Sequence, residues 1–173
     1  MKFWIIILLT QLCFFSCKDN VLLTNSEKYQ KEELIVYKQL MDQLIDSVGF
    51  EEQDTVKLVF FLSDTLVGER NWQSDDDLIK DDLIKRPFSI KEINESSLHK
   101  FIRTSDTLKL STGDKFSGYW INLSRVRFDK ELAKGFLRVD VWCGNLCSWT
   151  DSYSIQKQEG QWIIVGVLKG PPS

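Results

Sequence analysis

At 173 residues, with 43% apolar and 27% charged side chains, the chain has the make-up of one globular domain. Its 22 lysines and arginines against 25 aspartates and glutamates give a net charge of −3, which excludes the strong positive field of a nucleic-acid-binding domain. A chain of this length buries a core without metal ions or several disulfides.

Residues 1–17 read MKFWIIILLTQLCFFSC. Lys2 supplies a short positive region, and Phe3 to Phe15 is apolar apart from Thr10 and Gln11. The run is shorter than the roughly 20 residues of a finished membrane-spanning helix. It has the length of the apolar part of an export signal. It ends Phe14-Phe15-Ser16-Cys17, followed by Lys18-Asp19. A small residue directly before a cysteine resembles the bacterial lipobox; bulky Leu12 before Cys13 does not supply one. The Cys17-Lys18-Asp19 start resembles the surface-export signal of Bacteroidetes lipoproteins. The resemblance implies cleavage before Cys17, acylation of that cysteine, and an outer-membrane address, periplasmic or surface-exposed. Residues 1–16 are then a signal peptide, 17–25 the lipidated cysteine and its tether, and 26–173 a single domain. Each buried acyl CH₂ contributes about 0.8 kcal/mol, and stable anchoring takes two or more chains. The competing reading is an ordinary secretory peptide with an incidental cysteine.

The first element of the domain is a helix over 24–48. Thr24 with Glu27 fits a capping box, and Leu34, Tyr37, Met41, Leu44 and Val48 mark one helical face. Gly49 stands where a helix stop is expected. Residues 55–62 (TVKLVFFL) predict a strand, apolar on both faces in its second half and therefore central. An irregular stretch containing Gly68 follows. Residues 74–85 (SDDDLIKDDLIK) repeat D-D-L-I-K in tandem. The three consecutive aspartates lack the alternate oxygen spacing and glycine of a calcium loop. They fit instead the first turn of a short helix capped by Ser74. After Pro87, Ser89 with Glu92 opens a further helix, expected to reach about Ile102 and to carry His99, the one histidine.

From Lys115 the pattern changes to period two, predicting strands over 119–128, 135–143, 149–157 and 161–169. In the second, Leu137, Val139, Val141 and Cys143 share one face, and Phe136, Arg138, Asp140 and Trp142 the other. In the last, Ile163, Val165 and Val167 are expected opposite Trp162, Ile164 and Leu168. Glu159-Gly160 makes a tight turn between the last two strands. Between the second and third, Cys143 and Cys147 flank Gly144 and Asn145, which are turn residues. In an oxidising compartment this even pair is expected to form a disulfide, contributing about 2 kcal/mol for so short a loop. A thioredoxin-like site needs C-x-x-C on a helix N-terminus, and a zinc site needs three or four ligands; neither fits as well.

The fold class is therefore α+β: an N-terminal helix packed on a curled antiparallel sheet that ends in a four-strand meander. This order, with Gln158-Glu159-Gly160-Gln161-Trp162-Ile163-Ile164 as a Gly turn before a Trp-bearing strand, resembles NTF2-like and cystatin-like domains. Those families are functionally mixed, so the resemblance implies no activity.

No P-loop, dinucleotide glycine pattern, H-E-x-x-H or nucleophile elbow is present, so no cofactor, metal or catalytic residue is expected. Five tryptophans follow Cys17, and Trp142, Trp149 and Trp162 flank the last hairpins. They either fill the second face of the sheet or form an exposed strip for a glycan or extended peptide. Asp-Thr-aliphatic triplets at Asp54, Asp64 and Asp106 resemble the O-glycosylation signal of Bacteroidetes envelope proteins. The leading expectation is a membrane-anchored, non-enzymatic binding or assembly module for an envelope protein or glycan. The alternatives are a small pocket enzyme of NTF2-like type using His99 or paired carboxylates, and an inhibitor or immunity-type protein presenting Asp75 to Asp82 to a basic partner.

Overall fold

The computed structural model describes residues 24, 26–48, 57–68, 78, 83–104, 116–143 and 148–171. Helix α1 spans Glu27–Val48. Its cap is Ser26 rather than Thr24: the Ser26 hydroxyl accepts from the Tyr29 N–H at 3.2 Å. Thr24 serves differently, its carbonyl taking the Arg125 guanidinium at 3.0 Å. The buried stripe of α1 is Tyr29, Val36, Tyr37, Leu40, Met41, Leu44 and Ile45, all at most 1% exposed.

The sheet is mixed. Its strands are β1 (Lys57–Leu62), β4 (Phe101–Arg103), β5 (Phe116–Leu123), β6 (Arg127–Phe128), β7 (Lys134–Trp142), β8 (Ser148–Gln158) and β9 (Gln161–Lys169). They run in the order β4-β1-β5-β7-β8-β9, with β6 also on β7. β5, β7, β8 and β9 form the expected antiparallel meander. β1 is central, as its double-sided apolarity predicts, and runs parallel to both β4 and β5. Those parallel pairs are reached through crossovers that hold a small ladder, β2 (Thr65–Leu66) with β3 (Arg86–Pro87), and a short helix, α2 (Ile90–Ser96). The architecture is α+β.

Burial along β7 alternates at every residue: Leu137, Val139 and Val141 are fully buried, while Arg138 and Asp140 are only partly covered. The buried faces of β5 and β8 add Ile121, Leu123, Tyr153 and Ile155 to one core with β7, α1 and α2. Both helices lie on that side.

Three expectations change. α2 stops at Ser96 instead of reaching 102, because Asn94 turns its amide onto the Phe101 backbone in both directions, at 2.8 and 2.9 Å. His99 consequently lies in the turn before β4, not on a helix. Within 74–85, the described residues Leu78 and Leu83 are buried and in bridges, Leu78 opposite Asp129, not in a helix. Residues 74–77 lie outside the described residues. Finally, Ile155 faces Ile164 while Ser154 faces Gly166, so β9 carries an extra residue at Val165. This bulge flips the alternation, and Val167 joins the face of Trp162 and Ile164 instead of opposing it. The β8–β9 turn is as expected: Glu159 and Gly160 have φ of 51° and 83°, the pair of positive values that a two-residue hairpin needs.

Candidate functional site

The side of the sheet opposite the helices presents the most exposed aromatic surface of the described residues. Trp120 on β5 and Trp142 on β7 stand directly opposite each other in register. They are 37% and 40% exposed. Trp120 also stacks on Phe61, with ring centroids 5.0 Å apart. Next along β7 come Asp140 and Arg138, joined at 3.2 Å. The Thr150 hydroxyl donates to Asp140 at 2.8 Å. A shallow depression of about 750 Å³ runs between Arg138, Asp140, Trp142, Thr150, Ser152 and Leu168. Leu168 is 74% exposed.

The three tryptophans flagged by the sequence do not form one strip. Trp142 lies on this outer face. Trp149 is opposite Val141, so it turns to the core side and packs there. Trp162 is 2% exposed and is a core residue. Its ring packs 5.2 Å from Phe128, and its Nε1–H donates to Glu32 at 2.8 Å, while Lys157 lies over the ring. The aromatic partner of Trp142 is instead Trp120. The alternation Trp120, Ile121, Asn122, Leu123 carries the signal: two aliphatic residues of β5 point inward, so Trp120 points out.

Cys143 follows directly on β7, whereas Cys147 and the lipidation candidate Cys17 lie outside the described residues. The acidic segment proposed for a basic partner, Asp75 to Asp82, lies largely outside them too.

A second constellation was missed by sequence reasoning. Glu33 is fully buried on the apolar stripe of α1, one turn from Tyr29 and from Tyr37. Its carboxylate accepts from Arg86 Nε at 2.7 Å, Arg125 Nε at 2.8 Å and the Val126 N–H at 2.7 Å. Arg125, 1% exposed, also donates from one terminal nitrogen to the Ile84 carbonyl and from the other to the Thr24 carbonyl. Tyr29 and Tyr37 donate to the carbonyls of Val126 and Ser124 at 2.6 and 2.5 Å. Burial is the main cause holding the Tyr29 hydroxyl well above its ordinary pKa, so it stays a donor. The signal was a lone carboxylate on an apolar stripe, which burial permits only with a partner. With every oxygen engaged, this cluster is a strut that fixes the 124–126 segment to α1.

His99 sits at the surface, its Nε2 3.1 Å from Asp46 and its ring edge-on to Phe60. Its neighbour Asp42 holds the turn: the carboxylate accepts from the Ser97 hydroxyl and from the N–H groups of Leu98 and His99. Burial alone would raise the Asp42 pKa. The Ser97 hydrogen bond, the two N–H donors and the His99 ring outweigh it and hold the carboxyl below its usual range. The interval between α1 and the sheet, where a pocket enzyme would hold its substrate, is filled by Tyr29, Tyr37, Met41 and their partners.

Among the described residues, no group of three potential metal ligands occurs, and no helix is long and apolar enough to cross a membrane. Comparison with family models, curated proteins and solved structures finds no match to this chain.

Proposed function

We propose that this chain is a lipid-tethered protein of the bacterial cell envelope whose domain is a non-enzymatic binding module, with the outer face of its sheet as the ligand surface. The tether reading rests on the export-signal pattern and the Ser16-Cys17-Lys18-Asp19 start. The observation that carries the binding reading is the cross-strand pair Trp120–Trp142, more than a third exposed and beside a shallow depression. Large indoles left in water over a rigid sheet cost hydrophobic free energy that a ligand recovers. A Cys143–Cys147 disulfide would close the β7–β8 connection next to Trp142 and hold that end of the surface in place.

Two measurements test this. Intact mass of the membrane-extracted protein should correspond to residues 17–173 plus acyl chains, less the two hydrogens lost to a disulfide. A bare Cys17 thiol or a retained leader overturns the tether. Affinity capture from the native envelope should be lost in Trp142→Ala with the melting temperature unchanged. Capture that ignores this substitution overturns the surface.

A further inference from the structure

We infer that the ligand of this face is a neutral polysaccharide lying along β8, an inference that rests on the binding surface proposed above and adds its chemistry. Thr150 and Ser152 form the floor of the depression, and Ser148 and Ser154 continue this row of small hydroxyl residues beyond its two ends. Ser148, Thr150, Ser152 and Ser154 stand opposite Trp142, Asp140, Arg138 and Phe136 in register, so they share the outer face with them. On the other side, Leu168 faces Ser152, and Gly166 faces Ser154. The taller side chains of β7 and Leu168 therefore wall a trough whose bottom is a row of hydroxyls. The row of hydroxyls from 148 to 154 is about 20 Å long, the length of several pyranose rings, and the walled trough is its middle part.

The chemistry of the trough selects among polymers. The backbone of β8 is paired on both sides, with β7 and with β9. An extended peptide therefore cannot add to it as a strand, and recognition must run through side chains. The polar ones among them are hydroxyls, one carboxylate and one guanidinium, set between Trp142 and Leu168. Arg138 and Asp140 have opposite charges 3.2 Å apart and largely cancel. Lys169 also lines the depression but turns its ammonium away to the Ser47 carbonyl at 2.9 Å. Lys134 stands at the far end, opposite Gln156. Such a lining exerts little net pull on a charged polymer. It offers dense, uncharged donors and acceptors to a ligand that carries the same. The indoles at the Trp120–Trp142 end add what sugars use besides hydroxyls: the electron-rich ring face attracts the polarised C–H groups on one face of a pyranose.

Native gel electrophoresis of the acylated or signal-less domain tests this directly, in gels containing starch, dextran, mannan, xylan or a soluble β-glucan, with polygalacturonate and heparin as charged comparisons. At least one neutral polymer should retard the protein. Trp142→Ala, which removes the platform, and Ser152→Leu, which fills the trough from its floor, should each weaken retardation tenfold or more. Leu98→Ala, at an 86% exposed residue on the turn before β4, should leave it unchanged. Circular dichroism checks that each variant folds. Retardation by none of the neutral polymers, by the charged ones alone, or with Ser152→Leu equal to the parent overturns the inference. Envelope capture separates this failure from failure of the binding surface. A Trp142-dependent catch destroyed by proteinase but indifferent to periodate, which cleaves vicinal diols, keeps the surface and removes the sugar. A catch independent of Trp142 removes both.

Discussion

Substituting Glu33 by glutamine removes one negative charge from a site sealed against water while leaving two guanidinium groups aimed at it. In the parent, the carboxylate is 0% exposed and lies 2.7–2.9 Å from Arg86 Nε, Arg125 Nε and the Val126 N–H. Arg86 retains a route to solvent, being 20% exposed; Arg125, at 1%, does not. Stranding one buried charge costs about 3–5 kcal/mol. For a domain of this size, each kcal/mol lowers Tm by roughly 3 °C, so Glu33→Gln should lose about 10–15 °C. Urea unfolding followed by tryptophan fluorescence, with Trp162 as the core reporter, should show a lower midpoint at unchanged slope. The double variant Glu33→Leu with Arg125→Met removes both charges together. It should be less destabilised than the sum of its single changes by about 1–3 kcal/mol. A Glu33→Gln protein within about 1 kcal/mol of the parent, or an additive double variant, would refute the strut.

Three further expectations follow from separate parts of the molecule. Because the Asp42 pKa is lowered on folding, its stabilisation is full above the unfolded carboxyl value of about 3.9 and fades as pH falls through the lower, folded value. The stability gap between the parent and Asp42→Asn, measured by thermal melts, should therefore be constant from neutral pH to about pH 4 and shrink below it; a gap that closes between pH 5 and 7 would contradict this. Gly135→Ala should destabilise by about 1–3 kcal/mol in urea: an added Cβ meets Ile155 and Phe128 at 3.1 Å and Val126 at 3.2 Å, and a neutral result would mean that these three side chains yield freely. Trp162→Phe keeps a core ring but removes the indole donor 2.8 Å from Glu32, leaving that carboxylate to Lys157, so it should cost about 1 kcal/mol; a variant as stable as the parent would assign Trp162 to packing alone.

What could be read from the amino-acid order was whatever repeats with a local period. The stripe of α1 and the inside-outside alternation of β7 come from spacing alone, and both are realised in the burial of Tyr37, Met41, Leu137 and Val141. The Glu159-Gly160 turn followed from backbone sterics at two adjacent residues. What escaped was set by distant partners. Parallel pairing of β1 joins segments about 40 and 60 residues away, as Phe60 with Phe101 and with Tyr119 shows, and no local period encodes it. The helix expected to run on through His99 ends at Ser96, and the turn that replaces it is held in part by Asp42, 55 residues earlier than Ser97. The candidate surface was half legible: alternation put Trp142 on the face opposite Leu137, Val139 and Val141 without deciding whether it was covered, and only the register of β5 against β7 brings Trp120 beside it.

The extra residue in β9 bears on how the molecule keeps company with itself. Among the described strands, β9 closes one margin of the sheet, and QWIIVGVLK is the kind of apolar run that seeds fibrils when its margin stays flat and open. The kink at Val165 breaks that flatness in mid-strand, and Gln39 from α1 already occupies the Trp162 N–H at 2.8 Å. Lys169 and the Gly170-Pro171-Pro172 exit finish the strand with a charge and with residues poor at pairing. A neighbouring chain arriving edge-on therefore finds only short stretches to zip against, which keeps the protein from polymerising along its own sheet.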